Sequence, residues 1–156
     1  MSERDTKGIC SAYERILNER TNIPTINTYY SLLSDYLYTQ KGWSIENTQD
    51  EYGTKNIVNN GTVIGRIRRY FNEESNTLTL DFITSRPKTG EPPTRGLGLV
   101  KLVYKFDKEF VDKFHVNTVV IDPVHRVTKQ QFISTYCRPT FNVKAVGDEL
   151  VATRVH

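Results

Sequence analysis

Several things are scarce in this chain: it has two cysteines, one tryptophan and one methionine in 156 residues. Cys10 and Cys137 lie far apart and make no metal-type spacing, so neither a disulfide framework nor a metal site is expected. A reduced, cytoplasmic setting follows as the expectation. No apolar run approaches the roughly 18 residues of a membrane span, and "MSERDTKGIC" has no apolar signal core, so no membrane partner is expected. Charge of one sign is also scarce. Lys and Arg number 21 against 18 Asp and Glu, a net +3. That suits anionic ligands but falls short of the dense basic stripe of a dedicated nucleic-acid binder.

A chain of this length reads as a single domain, 1–156, with a modest core given a mean hydropathy of −0.51. Ile9, Ala12, Tyr13, Ile16 and Leu17 recur at helical spacing, and Ile26, Tyr29, Tyr30, Leu33 and Leu37 repeat the pattern up to a stop at Gly42. The first quarter is thus two helices. "TKNIVNNGTVIGRIRRYF" predicts two strands turning at Asn60-Gly61, and "TLTLDFITS" a third, with Leu78, Leu80 and Phe82 on one face. A loop, "RPKTGEPPT", leads to Leu99, Val103, Phe106 and Phe110, a helix of about four turns starting near Leu97. "VNTVVIDP" is a short buried strand. A further helix from His125 places Thr128, Phe132 and Tyr136 on one face and ends at or before Arg138, because Pro139 follows. The last residues form a hairpin at Gly147-Asp148. The fold class is α/β (α+β): a mixed, mainly antiparallel twisted sheet with flanking helices, not a bundle or sandwich.

The informative stretch is Arg95-Gly96-Leu97-Gly98-Leu99-Val100, two glycines where a helix begins. It could be a bare turn. Alternatively, an anion sits against first-turn N–H groups, which have no intrahelical partner and carry the positive end of the helix dipole. Glycine lets a diphosphate approach the backbone. The GK[ST] ending of a P-loop is missing. So is G-x-G-x-x-G, and an antiparallel meander precedes the loop, which excludes the dinucleotide-binding fingerprint.

These residues fit R-x-x-G-x-(small), and the chain here resembles the GNAT superfamily of acyl-coenzyme A-dependent N-acyltransferases, whose motif is Q/R-x-x-G-x-G/A. Arg95 and Gly98 match, while Val100 departs from the small last residue. "TLTLDFITSRP" looks like the family's fourth strand and "VNTVVIDP" like its fifth. "TYCRPTF" places Tyr136 at the family's tyrosine, with Thr140 where glycine is usual and Phe141 at the phenylalanine. The family's Asn and Ala in that helix are replaced by Lys129 and Phe132, no first strand precedes the opening helices, and "KTGEPP" is extra. The resemblance covers roughly 54–156, a GNAT-like core behind a helical part, 1–42.

The resemblance implies acetyl-CoA as co-substrate and direct attack by an amine of a protein or small molecule. It places the pantetheine arm along Phe82, Ile83 and Thr84, and the diphosphate at Arg95, Gly96, Leu97, Gly98, Leu99 and Val100. Neutralising a lysine-like amine, pKa about 10.4, costs about 4–5 kcal/mol at pH 7 without a base or desolvation. Tyr136 is the candidate acid for the departing thiolate; its plainer role is a core aromatic beside Phe132. Asp81, Asp122 and His125 are candidate bases, with a solvated strand residue, a turn or cap, and a surface histidine as their plainer roles. Arg66, Arg68 and Arg69 split between two strand faces, which favours a solvated or ion-paired edge over a nucleic-acid site. Lys55, Lys101 and Lys105 read as surface charges. The tyrosine-rich second helix reads as core packing, with an acceptor cleft or a homodimer face as alternatives. Two other functions stay open: a non-catalytic binding or inhibitory protein, which Val100 and Thr140 favour, and a nucleic-acid-associated protein.

Overall fold

The computed structural model describes residues 24–48, 53–84, 98–121 and 126–155. Within them lie three helices, α1 (Ile26–Lys41), α2 (Leu99–Lys113) and α3 (Arg126–Thr135). Seven strands accompany them: β1 (Ser44–Asn47), β2 (Lys55–Asn59), β3 (Thr62–Asn72), β4 (Thr77–Thr84), β5 (Thr118–Ile121), β6 (Phe141–Val146) and β7 (Glu149–Arg154). They form one sheet in the order β1-β2-β3-β4-β5-β7-β6. Every neighbouring pair is antiparallel except β4 and β5, which α2 connects as parallel strands. This is the mixed, mainly antiparallel sheet expected. No helix among the described residues is long and apolar enough to cross a membrane.

Local chemistry accounts for the boundaries. Thr25 and Thr28 cap α1 reciprocally, each hydroxyl accepting from the other's backbone N–H at 3.2 and 3.1 Å, which satisfies two otherwise unpaired donors. Gly42 ends α1 in the left-handed region, its N–H reaching the carbonyls of Tyr38 and Leu37. The Asn60-Gly61 and Gly147-Asp148 turns close hairpins as expected. The helix predicted over Ile9–Leu17 lies outside the described residues.

The core lies between the sheet and the α1–α2 pair. Tyr29, Leu33 and Leu37 of α1 and Leu99, Val103, Phe106 and Phe110 of α2 are buried against Ile57, Ile67, Leu78, Leu80, Val119 and Ile121. Tyr29 meets Phe110 edge-on with ring centroids 5.2 Å apart, an arrangement favoured by the ring quadrupoles. The tyrosines of α1 thus divide: Tyr29 is core, Tyr30 and Tyr36 are partly buried against it, and Tyr38 is 71% exposed.

Strand β1 was not expected. It is a mostly exposed edge strand with Ile45 as its one apolar residue, so it lacks the alternation that announces a strand. Tertiary pairing with β2, from Ser44↔Val58 to Asn47↔Lys55, makes it one. The edge position is therefore filled by a segment following α1. A second departure concerns β4. Arg68 and Arg69 of β3 oppose Phe82 and Leu80, so Asp81 is an extra residue, a bulge that breaks the simple alternation expected between Leu80 and Phe82.

Candidate active site

Three structural features meet at one end of α2. First, β4 reaches Thr84, four residues beyond Leu80, which pairs with Ile121, the last described residue of β5. The Asp81 bulge follows Leu80 directly, and a bulge adds local twist to its strand.

Second, the start of α2 is seated beside Thr84. Gly98 stands at the N-cap with φ 68° and no side-chain cap, and its carbonyl accepts the first helical bond, from Leu102 N–H at 2.9 Å. A left-handed φ is nearly free for glycine and costly for other residues. The N–H groups of Leu99, Val100 and Lys101 precede the first helical donor and are the ones a helix leaves for an external acceptor. Gly65 of β3 permits the close seating: a Cβ there would overlap Leu99 Cδ2 and come within 2.5 Å of the Thr84 carbonyl oxygen. Two segments singled out in the sequence, 82–84 and 98–100, are thereby brought together.

Third, a cavity of about 580 Å³ opens from Gly98 between α2 and α3. Lys101, Lys105 and Lys108 line it from α2, Gln131 and Thr135 from α3, and Lys41 from the end of α1; Glu109 supplies a carboxylate. Lys101 and Lys105 make no ion pair among the described residues, whereas Lys108 pairs with Asp112 at 2.6 Å. Lys101 and Lys105 are exposed, as their reading as surface charges has it, and the structure adds that they line this groove. The available signal was their spacing: 101, 105 and 108 repeat on one helix face, directly after the glycine.

Tyr136 follows α3 immediately, beside Thr135 of the groove. It is 2% exposed, and its hydroxyl has no hydrogen-bond partner among the described residues. Its ring lies tilted against Phe132 at 4.9 Å and meets Phe141 edge-on at 5.4 Å, which is the plainer core role, and it is not among the residues lining the groove. Burial pushes its pKa well above the ordinary phenol value, and the Asp107 carboxylate adds to this while Arg69 opposes it. The hydroxyl therefore keeps its proton and can act only as a donor or acceptor of hydrogen bonds, or as an acid toward a strong base.

The other candidates fare differently. Asp81 is held by Arg68 Nε, so its carboxylate already has a cationic partner. Arg69 is not at a solvated edge: it is fully buried, with Nη2 3.0 Å from Asp107 Oδ2. The arginine triplet is thus split between two faces, as its alternation implied, and two of its members are ion-paired. Lys55 bonds Asn47 Oδ1 at 2.5 Å and lies over the Tyr30 ring at 5.2 Å. Arg95, Gly96, Leu97, Asp122 and His125 lie outside the described residues, as does the Phe82 side chain. Among the described residues no cluster of three His, Cys, Asp or Glu could hold a metal ion.

No protein-family model matches the chain, and no curated protein matches it. Solved structures similar to it are acetyltransferases. The ribosomal-protein-S18-alanine N-acetyltransferase from Escherichia coli overlaps 78% of this chain and 84% of its own, with TM-score 0.44 and 14% identity. A GNAT family acetyltransferase from Elizabethkingia anophelis with acetyl-CoA bound overlaps 80% and 81%, with TM-score 0.40 and 12% identity. Nourseothricin acetyltransferase overlaps 64% of this chain and 61% of its own, with TM-score 0.40 and 14% identity, so the matched part is under two thirds of that protein. These are distant likenesses to acetyltransferases. At TM-scores of 0.44 and below they carry no ligand, acceptor or reaction across to this chain.

Proposed function

We propose that the protein is an acyl-CoA-dependent N-acyltransferase, with acetyl-CoA as co-substrate and an amine of a protein or small molecule as acceptor. The observation that carries this reading is the uncapped N-terminus of α2, seated beside Thr84 at the end of β4, at the mouth of a lysine-lined groove. An extended ligand with an anionic middle and a thin polar arm fits that sequence of surfaces. The orphaned Tyr136 hydroxyl is a second fit: a buried polar atom without a partner is costly, by about 1–3 kcal/mol, unless a ligand or water completes it.

Bound acyl-coenzyme A would supply an activated thioester whose carbonyl carbon the amine attacks directly, with loss of the thiol. The chain's own contributions are positional and electrostatic. The N–H groups of Leu99, Val100 and Lys101 would hold a diphosphate, with Lys101 and Lys105 adding point charges. Backbone groups of Phe82, Ile83 and Thr84 would align the amide-bearing arm, as an extended partner aligns along a strand. Tyr136 would keep its proton through binding and donate a hydrogen bond to sulfur as the thiol leaves, the thiol taking up the proton that the attacking amine gives away. Val100 narrows the cradle relative to a smaller residue but leaves its N–H in place. The exposed free thiol of Cys137 accords with work in a reducing, cytoplasmic setting.

A non-catalytic binding protein of the same fold is the second reading. It is favoured by Asp81, the described candidate base, being held by Arg68. Thermal unfolding with and without acetyl-CoA tests binding. A hundredfold excess over Kd stabilises by about 2.7 kcal/mol, a rise of roughly 5–10 °C for a domain of this size. The double substitution Lys101→Glu/Lys105→Glu, on exposed side chains, should leave the ligand-free melting point within about 2 °C and abolish most of the rise. An equal rise in both proteins would remove the groove from the reading. Binding without turnover on any amine would select the non-catalytic alternative.

A further inference from the structure

Helix α2 is pinned to strand β3 at two points. Leu99 sits on Gly65, and Asp107 bonds Arg69. The two spans match: eight residues of helix rise about 12 Å, and four residues of strand about 13 Å. α2 therefore runs along β3, with a close-packed contact at one pin and a buried ion pair at the other.

The second pin is unusually complete. Arg69 and Asp107 side chains are both fully buried. Arg69 Nη2 donates to Asp107 Oδ2 at 3.0 Å and Nη1 to the Arg68 carbonyl at 3.2 Å. The Tyr29 hydroxyl donates to Asp107 Oδ1, and Tyr30 Oη accepts the Arg69 backbone N–H at 2.9 Å. Burial alone would lower the guanidinium pKa, but Asp107 and Tyr29 outweigh it, so Arg69 keeps its charge. A pair like this adds little net stability over apolar packing, because desolvation offsets the attraction. It does add direction. A planar fork on a carboxylate accepts one rotation and one axial position of the helix. At 3.6 residues per turn, an inward Asp107 places Lys101, Lys105 and Lys108 roughly 100–160° away, on the groove side.

We propose that the Arg69–Asp107 pair, held by Tyr29 and Tyr30, is the positioning device of the groove: it sets the rotation and axial register of α2, and so the place of its N-terminus and lysine row relative to α3. The pair touches no ligand; its effect on binding rests on the reading above, while its effect on geometry does not.

The test replaces the pair without leaving a buried charge, as Arg69→Met/Asp107→Leu/Tyr29→Phe. Spin labels on the exposed native Cys137 and on Lys101→Cys, with Cys10→Ser, report the separation of α3 from α2. The triple variant should fold with a melting point near that of the parent, yet show a distance distribution displaced or at least twofold wider. Its unlabelled form should bind acetyl-CoA at least tenfold more weakly. A distribution identical to the parent's would overturn the proposal and make the pair packing alone. Should the triple variant not fold, Arg69→Lys keeps the charge but loses the fork, and an unchanged distribution there is equally fatal. If acetyl-CoA does not bind the parent protein, the acyl-transfer reading falls, and the distances still decide the positioning role.

Discussion

The two sides of α2 treat polar groups in opposite ways. Facing the sheet and α1, Asp107 is fully buried and has partners at both oxygens, and Leu99, Val103, Phe106 and Phe110 fill the space around it. Facing α3, Lys101 and Lys105 stand exposed, without ion pairs among the described residues, and line the groove with Gln131 and Thr135. A buried polar group needs protein partners, whereas an exposed ammonium group is satisfied by water or by a ligand.

The largest expected effect breaks the saturated side. Asp107→Ala leaves the Arg69 guanidinium buried without its carboxylate, and truncating one member of such a pair costs about 3–5 kcal/mol. Urea unfolding should show the midpoint fall with an unchanged slope. A loss below about 1 kcal/mol would mean water reaches Arg69 and the side is not saturated after all.

Next comes the seat between the two sides. Gly65→Ala introduces a Cβ against Leu99 and the Thr84 carbonyl, and the backbone oxygen cannot swing aside as a side chain can. The expected loss is about 1–3 kcal/mol, the range for overpacking. Because the same contact places the α2 N-terminus, acetyl-CoA affinity should fall with it, measured by calorimetry on the folded fraction.

The smallest effect concerns Tyr136, which feels the charges of Asp107 and Arg69 and is not among the residues lining the groove. Tyr136→Phe removes an unpartnered buried hydroxyl, so stability at pH 7 should be unchanged or higher by about 1 kcal/mol, while acyl transfer slows if the hydroxyl donates to the departing sulfur. The pH dependence has a definite sign. Tyr136 and Tyr29 both have folded-state pKa values raised by burial above the ordinary value of about 10. Above that pH the unfolded chain loses protons that the folded chain keeps, so stability is complete below about pH 10 and falls as pH rises further. Tyr136→Phe should make that alkaline decline shallower. An identical decline would show that Tyr136 is solvated.

Much of the fold was legible because period and punctuation agreed. The spacing of Tyr29, Leu33 and Leu37 with Gly42 behind them, and the Asn60-Gly61 turn between two alternating runs, are local signals that tertiary packing reinforced. Strand β1 was illegible, since four mostly exposed residues carry no period and became a strand only by pairing with β2. At the site, the glycine before α2 and Tyr136 were visible as residue types in a suggestive order. The seating of α2 beside Thr84 was not, because it depends on Gly65, which reads as an ordinary strand glycine.

By itself, then, the sequence determined the order of the described elements apart from β1, the glycine that opens α2 and the residues able to do acid chemistry, since each of these is set by backbone propensity or side-chain type within a few neighbours. Only the tertiary structure decided that Arg69 belongs to the core and Arg68 to Asp81, that Lys101 and Lys105 line a groove, and that α2 begins beside Thr84. Those outcomes depend on which residues distant in sequence are packed together, and charge pairing and burial are properties of that packing rather than of any one side chain.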